Sequence, residues 1–271
     1  MNDASPILTL GLNAKGRDFL IGDLHGAFAL LDQALADVKF DPVHDRLFSL
    51  GDLIDRGPES VRCLEFLNKP WFFAVRGNHE DMFLKTYNDG NINWKMANFH
   101  REKNGMGWFF DQSAETLAQI AAAFKKLPFA IEVETARGTV GIVHAEIPVA
   151  MDWPTFRKEL LLNDRSVLHA ALWGRKRLEG NDMRGVCGID RVFHGHSVQG
   201  YKPRQMGNCY YIDTGAVFGL MGKEDHFLTM TNLMTETESL RIGPANRVGK
   251  THILDKSPSL AVPFGNLTPK P

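Results

Sequence analysis

Gly22-Asp23-Leu24-His25-Gly26 has two counterparts further along the chain, Gly51-Asp52-Leu53-Ile54-Asp55-Arg56-Gly57 and Gly77-Asn78-His79-Glu80. Phe19-Leu20-Ile21 leads into the first, Leu47-Phe48-Ser49-Leu50 into the second and Trp71-Phe72-Phe73-Ala74-Val75 into the third. Short apolar runs that stop at glycine followed by a carboxylate or an amide read as buried strands emptying into turns. Three strands would then carry Asp23, His25, Asp52, Asp55, Arg56, Asn78 and His79 to one sheet edge. In open α/β sheets that carboxyl edge is where ligands bind. Two later runs end the same way, Val140-Gly141-Ile142-Val143 before His144 and Arg191-Val192-Phe193 before His194-Gly195-His196. Strand ends bearing imidazoles and carboxylates point to one polynuclear metal site.

The segments between these turns have a helical period. Phe28, Leu31, Leu35 and Val38 recur at three- and four-residue steps, and Val61, Leu64 and Leu67 do so behind Pro58, a residue suited to a helix start. Alternating strands and helices predict βαβ units and an α/β fold. From Tyr87 to Phe110 the period is lost. Residues 88–127 read as a mostly helical excursion over the active site, with extra core for the sheet as an equal alternative. Within it, Ser113 caps a helix through Leu117, Ile120, Phe124 and Leu127 that Pro128 stops. Phe129 to Val133 pairs with Thr139 to Val143 across Ala136-Arg137-Gly138, and Pro154 opens a further helix. Strands return at Cys209 to Asp213 and His226 to Met230. Without internal repeats, residues 1–242 read as one domain. The proline-rich residues 243–271 read as an extended tail, with Leu260, Ala261, Val262 and Phe264 able to dock.

Bulk properties exclude several function classes. The 271 residues are 44% apolar and 23% charged, with a formal charge of −1, which gives no support for a nucleic-acid binder or an anionic-membrane binder. The first ten residues lack a basic residue, against a secretory signal, and no apolar run approaches the roughly 20 residues of a membrane span. Cys63, Cys187 and Cys209 are odd in number and outside any Cys-x-x-Cys spacing, against a disulfide framework or structural zinc. A cytoplasmic protein is expected.

Aspartate, asparagine and histidine suit hard or borderline divalent ions. Asp23 and His25, two residues apart on a turn, can face one ion. Asp52 can bridge through its two oxygens to a second ion completed by Asn78, His144 and His196. Ions about 3.5–4 Å apart hold a hydroxide between them for in-line attack on a phosphoryl group. Arg56 can hold two phosphate oxygens at once. His79 can donate a proton to the leaving oxygen, with Asp55 orienting its ring. Glu80 and Glu146 border ligands and read as groups that orient neighbours.

The blocks GDxHG, GDxxDRG and GNHE stand complete at 22–26, 51–57 and 77–80. With them the chain resembles the calcineurin-like metallophosphoesterases, and within these the phosphoprotein phosphatases. Asn104-Gly105-Met106-Gly107-Trp108-Phe109-Phe110, Leu172-Trp173-Gly174-Arg175 and the run from Tyr211 to Phe218 extend the likeness to bacterial serine/threonine phosphatases of the bacteriophage lambda type. The resemblance implies a central β-sandwich of mixed sheets flanked by helices, with the metals at the carboxyl ends of strands. It implies two divalent ions, manganese foremost with iron, zinc or nickel as alternatives. Asp23, His25 and Asp52 would hold the first, and Asp52, Asn78, His144 and His196 the second. Arg56 and Arg175 would contact phosphate, with Arg177 as competitor or a surface ion-pair partner. His194 stands where the family has an apolar residue, a spare ligand or a packed ring. Val198 stands where broader superfamily members have another histidine.

The expected activity is hydrolysis of phosphoserine or phosphothreonine in proteins, or of small phosphoesters. A nucleotide phosphoanhydride such as a dinucleoside tetraphosphate is the alternative substrate, and a non-catalytic metal-cleft binder the remote one. The aromatic stretch from Trp94 to Phe110 could stack on bases, but reads better as packing.

Overall fold

A computed structural model describes residues 5–234, 238–242 and 248–253. In chain order the strands and helices are β1 (Ile7–Leu10), β2 (Asp18–Ile21), α1 (Phe28–Asp37), β3 (Arg46–Ser49), α2 (Cys63–Leu67), β4 (Phe72–Ala74) and α3 (Asn78–Thr86). The short pair β5 (Tyr87–Asn88) and β6 (Asn91–Ile92) precedes α4 (Trp94–Asn104) and α5 (Ala114–Lys125). Then come β7 (Ala130–Thr135), β8 (Gly138–Val143), α6 (Trp153–Leu161), α7 (Arg165–Trp173), α8 (Lys176–Glu179) and β9 (Arg191–His194). Last are β10 (Arg204–Met206), β11 (Cys209–Tyr211), α9 (Ala216–Leu220), β12 (Leu228–Asn232), β13 (Glu238–Ile242) and β14 (Val248–Ile253).

The strands form two six-stranded mixed sheets, ordered β1-β7-β8-β9-β11-β10 and β14-β13-β12-β2-β3-β4. β2, β3 and β4 run parallel with Phe19 opposite Leu47 and Phe48 opposite Phe73, as expected when helices link consecutive strands. Burial explains the layering. Leu20, Phe48 and Val75 from one sheet meet Ile131, Val140, Ile142 and Phe193 from the other between the layers. The opposite face of the β2 sheet, with Phe19, Ile21 and Leu47, is covered by α1 through Phe28 and Leu31 and by α5 through Ile120 and Phe124. The opposite face of the β8 sheet, with Val143 and Val192, is covered by α6 and α7 through Phe156, Leu160 and Val167. The central strands β2, β3, β8 and β9 are therefore buried on both faces, and their runs read continuous rather than alternating. The result is a β-sandwich of mixed sheets with helices on its two outer faces.

Several local details follow from the sequence. Ser113 accepts from the Thr116 amide to cap α5, and the hairpin β7–β8 pairs Thr135 with Gly138. Pro58 does not open a helix. A 3-10 turn at Ser60–Arg62 comes first, because Ser60 Oγ accepts from the Asp55 amide, 2.9 Å, and holds this stretch against the preceding loop. Segment 88–127 does two things at once. Ala97, Met106 and Phe109 enter the core with Leu117 and Ile120, while Gly105 and Trp108 touch the strand-end loops. Trp108 stacks on Phe83, 6.0 Å between centroids, as the packing reading expects, and Trp94 and Phe99 are exposed. In the segment beyond residue 242, Val248–Ile253 pairs with β13. The docking of Leu260, Ala261, Val262 and Phe264 lies outside the described residues. No helix among the described residues is long and apolar enough to cross a membrane.

Candidate metal centre

Five residues at the strand ends have left-handed backbone although none is glycine: His25 (φ 46°), Asp52 (φ 48°), Asp55 (φ 74°), Arg56 (φ 69°) and His196 (φ 62°). Each such residue costs roughly 1–2 kcal/mol, and the cost persists only where surrounding bonds over-determine it. Those bonds are present. The Leu24 and His25 amides donate to the Asp52 carbonyl, and the Gly26 amide to the Leu53 carbonyl. The buried Glu80 carboxylate accepts from the Gly77, Asp52 and Leu53 amides at 2.8, 2.9 and 2.8 Å. Glu80 thus ties two loops together, as an orienting group should. Gly26 is required as such: a Cβ there would lie 2.9 Å from the Gly57 carbonyl oxygen.

Asp52 stands at the middle. Its Oδ2 is 3.5 Å from His25 Nε2 and 3.9 Å from His79 Nε2, while its Oδ1 is 3.5 Å from His144 Nε2. The two oxygens of one carboxylate therefore face two different clusters. Asn78 Oδ1 is 2.9 Å from His144 Nε2 and 2.8 Å from His196 Nδ1. Asp23 joins through Oδ2, which accepts from the His196 amide, 2.8 Å, and its Oδ1 is buried without a hydrogen-bond partner. All six side chains of the expected donor set come together. Among the described residues two groupings have donor atoms within mutual reach, His25–Asp52–His79 and Asp52–His144–His196: the first holds His79 beside His25 and Asp52, and Asp23, expected there, is in neither.

The site fits divalent cations on three counts. Nδ1 of His25 donates to the Ile54 carbonyl and Nδ1 of His144 to the Leu50 carbonyl, 2.9 and 2.7 Å, so both turn an Nε2 lone pair inward. Burial lowers His25 and His144 and pushes His196 down to about 2, which keeps these rings neutral. Burial, then Asp213 and Asp52, raises Asp23 well above the usual carboxylate range, the signature of negative charges gathered without a countercharge. A cation already sits against one lone pair, since Arg56 donates from NH1 to His25 Nε2, 2.6 Å.

His79 and Asp55 form a separate pair beside these donors. His79 Nδ1 donates to Asp55 Oδ2, 2.6 Å, with both side chains buried. Burial lowers His79, but the Asp52 and Asp55 carboxylates outweigh it and leave it raised. Asp55 Oδ1 accepts from Trp108 Nε1, 2.7 Å, and Arg56 NH2 reaches His79 Nε2, 3.1 Å. Arg175 lines the same cleft as Arg56 and His196 and its NH2 approaches the His196 carbonyl, 3.5 Å. Arg177 is not at the surface: its side chain is wholly buried, with NH1 toward the Gly185 carbonyl, 3.3 Å, and its ion pair is an inner one, to Asp182 Oδ2 at 3.5 Å. The turn that brings Arg175 to the cleft buries the side chain two positions on. His194 is packed, with Nδ1 donating to the Val143 carbonyl and its ring stacked on Tyr211.

Two residues escaped the sequence reading. Asp213 is buried, accepts from the Gly215 amide, 2.8 Å, and is raised to about 6 by burial together with the Asp52 charge, which outweigh the lowering by that bond. It follows an apolar run, so the strand-end rule could have found it. Trp108 lay in an aromatic run that carried the family likeness, but nothing local paired it with Asp55, which lies 53 positions away.

Residues 19–200 match the model of the calcineurin-like phosphoesterases. Serine/threonine-protein phosphatase 1 of Salmonella typhimurium is 39% identical over 205 residues, 74% of this chain and 87% of that protein. The symmetrical bis(5'-nucleosyl)-tetraphosphatase of Actinobacillus succinogenes is 47% identical over 64 residues, 23% of either chain. A solved structure provisionally described as a diadenosine tetraphosphatase superposes with a TM-score of 0.59 at 18% identity, covering 89% of this chain and 98% of that one, which is a likeness of fold. With the family model spanning most of the chain and the three strand-end blocks inside it, the protein belongs to the calcineurin-like phosphoesterase family.

Proposed function

We propose that the protein is a metal-dependent phosphomonoesterase that dephosphorylates serine and threonine in proteins. The observation that carries this is Asp52, with Oδ2 toward His25 and Oδ1 toward His144, beside an arginine pair and a carboxylate-held histidine. Asp23, His25 and Asp52 would hold one divalent ion, and Asp52, Asn78, His144 and His196 the other, manganese being the first choice. Bound there, the ions supply Lewis-acid polarisation of phosphoryl oxygens and activation of water at neutral pH. Arg56 and Arg175 bind and orient the remaining phosphate oxygens. When Arg56 leaves His25 and His79 for phosphate, Nε2 of His79 is free to hold a proton and give it to the leaving oxygen. Asp55 keeps the ring in that tautomer through Nδ1.

The phosphatase relative covers most of this chain, whereas the tetraphosphatase relative covers about a quarter of it, so the phosphoprotein reading leads. The second reading, hydrolysis of a dinucleoside tetraphosphate, keeps the same centre. We further propose one catalytic domain over residues 1–242, extended by the edge strand β14 (Val248–Ile253) that pairs with β13 in place of a wholly extended tail, and a cytoplasmic setting, supported by three free cysteines. The test is metal analysis of the isolated protein followed by side-by-side turnover of a phosphopeptide and a dinucleoside tetraphosphate. Faster turnover of the phosphopeptide is expected. Exclusive turnover of the nucleotide overturns the substrate assignment, and no turnover of either overturns the activity.

A further inference from the structure

An open groove of about 530 Å³ is lined by Arg56, Arg175 and His196 of the cleft together with Val198, Phe218 and Arg204. Arg204 stands at the start of β10 and is exposed. It donates from NH2 to the Asn181 side-chain oxygen, 2.6 Å, a neutral acceptor that orients the guanidinium without cancelling its charge. The Phe218 ring, also in the lining, carries Lys223 Nζ at 4.6 Å and the Arg56 guanidinium at 6.0 Å from its centroid. Glu179 is the one carboxylate in the lining. The walls therefore have one dominant sign, and a cleft of one sign with apolar stretches focuses its field on whatever enters.

Resting on the phosphatase reading, we propose that this groove is a specificity subsite for an acidic side chain flanking the phosphorylated serine or threonine, with Arg204 as its ion-pair partner. A phosphoryl group held at Arg56 and Arg175 places its flanking groups beside a lining with three arginines and one carboxylate. A second negative charge is what Arg204 would accept. A nucleotide base is disfavoured, because the Phe218 ring is already engaged by Lys223, Arg56 and, edge-on, His226. It serves as a wall, whereas base stacking needs a free aromatic face. The guanidinium, with its planar fork, suits a carboxylate or a second phosphate.

The test compares kcat/KM for three phosphothreonine peptides that differ only in flanks, acidic, neutral or basic, using the full chain with manganese supplied. The wild type is expected to favour the acidic over the neutral peptide by about two- to fivefold, the range of an exposed ion pair, and the ratio should shrink with added salt. In Arg204→Ala the ratio falls to near one. In Arg204→Glu it inverts, and the basic peptide becomes the best of the three. Circular dichroism of each variant confirms folding, and Arg204→Lys should keep part of the acidic preference. An acidic-to-neutral ratio unchanged in Arg204→Glu overturns the proposal. So does a loss of dinucleoside tetraphosphate turnover in Arg204→Ala with the peptide ratio intact, which assigns the groove to a nucleotide. Failure of the underlying activity shows itself differently: the wild type then hydrolyses none of the three peptides, and both readings fall.

Discussion

Asp55→Asn is the sharpest probe of the proposed acid, because the carboxylate serves two buried donors at once. His79 Nδ1 lies 2.6 Å from Oδ2 and Trp108 Nε1 2.7 Å from Oδ1. An asparagine offers one oxygen, so either the imidazole or the indole must face an amide N–H₂. A buried donor left without an acceptor costs about 1–3 kcal/mol, or roughly 2–12 °C of melting temperature at this chain length. The catalytic loss is separate. A hydrogen bond to a charged group contributes about 1.5–3 kcal/mol, and the histidine is in its charged form only until it gives up its proton. The substitution should therefore slow hydrolysis by about 10- to 150-fold when the leaving group needs protonation, as phenol does, and much less for p-nitrophenol. His79→Asn should produce the larger loss, about 10²–10⁴-fold, with the same dependence on leaving group, and the double variant should be no slower than His79→Asn alone. The sign of the pH effect is fixed as well. Asp55 raises His79, so its neutralisation lowers the ring, and the alkaline limb of kcat/KM must move to lower pH. Trp108→Phe separates the two costs. In that background Asp55→Asn should lose little further stability while keeping its rate defect. Equal slowing of phenyl and p-nitrophenyl phosphate by Asp55→Asn and His79→Asn would refute the acid role.

Removing divalent ions with a chelator should abolish hydrolysis and lower the melting temperature by roughly 5–10 °C, as expected for a ligand at about 100 times its dissociation constant. Manganese should restore both, and a melting temperature indifferent to metal counts against the centre. Glu146 accepts from the Arg177 amide, 2.9 Å, and so holds the turn that carries Arg175. Glu146→Ala should raise the inhibition constant for inorganic phosphate about three- to tenfold with a smaller change in kcat, and an unchanged constant would detach Glu146 from Arg175. Gly105 has φ 80° and its Cβ would lie 2.6 Å from the Arg56 amide nitrogen. Gly105→Ala should therefore cost more than the roughly 1–2 kcal/mol of a left-handed alanine and raise KM. Gly107→Ala, which meets nothing within 4 Å, should stay within about 0.5 kcal/mol. Similar denaturation midpoints for the two variants would remove the steric argument.

What could be read from the sequence, and what could not, divides along a physical line. Apolar runs that end at Gly-Asp, Gly-Asn or a histidine are local signals, and the structure brings the strand ends they mark together, with Asp52 Oδ1 3.5 Å from His144 Nε2 across 92 positions of chain. The sandwich itself was not legible from spacing. Strands buried on both faces carry no alternation, so nothing local says that Leu20 and Phe48 face a second sheet while Phe19 and Leu47 face helices. That part came from family resemblance. Arg177 shows the same limit at one residue. Two positions after an arginine that lines the cleft, it reads as surface charge, yet it is wholly buried, because the direction of a turn is set by what it packs against. The left-handed backbone at His25, Asp52, Asp55, Arg56 and His196 is the deepest case. Composition favours ordinary turns there, and only the bonds from Glu80 and the Asp52 carbonyl make the strained form the stable one. A site built from such residues depends on its neighbours more than on its own propensities. Substitutions at Glu80 should therefore disturb the centre as severely as substitutions of the residues that face it.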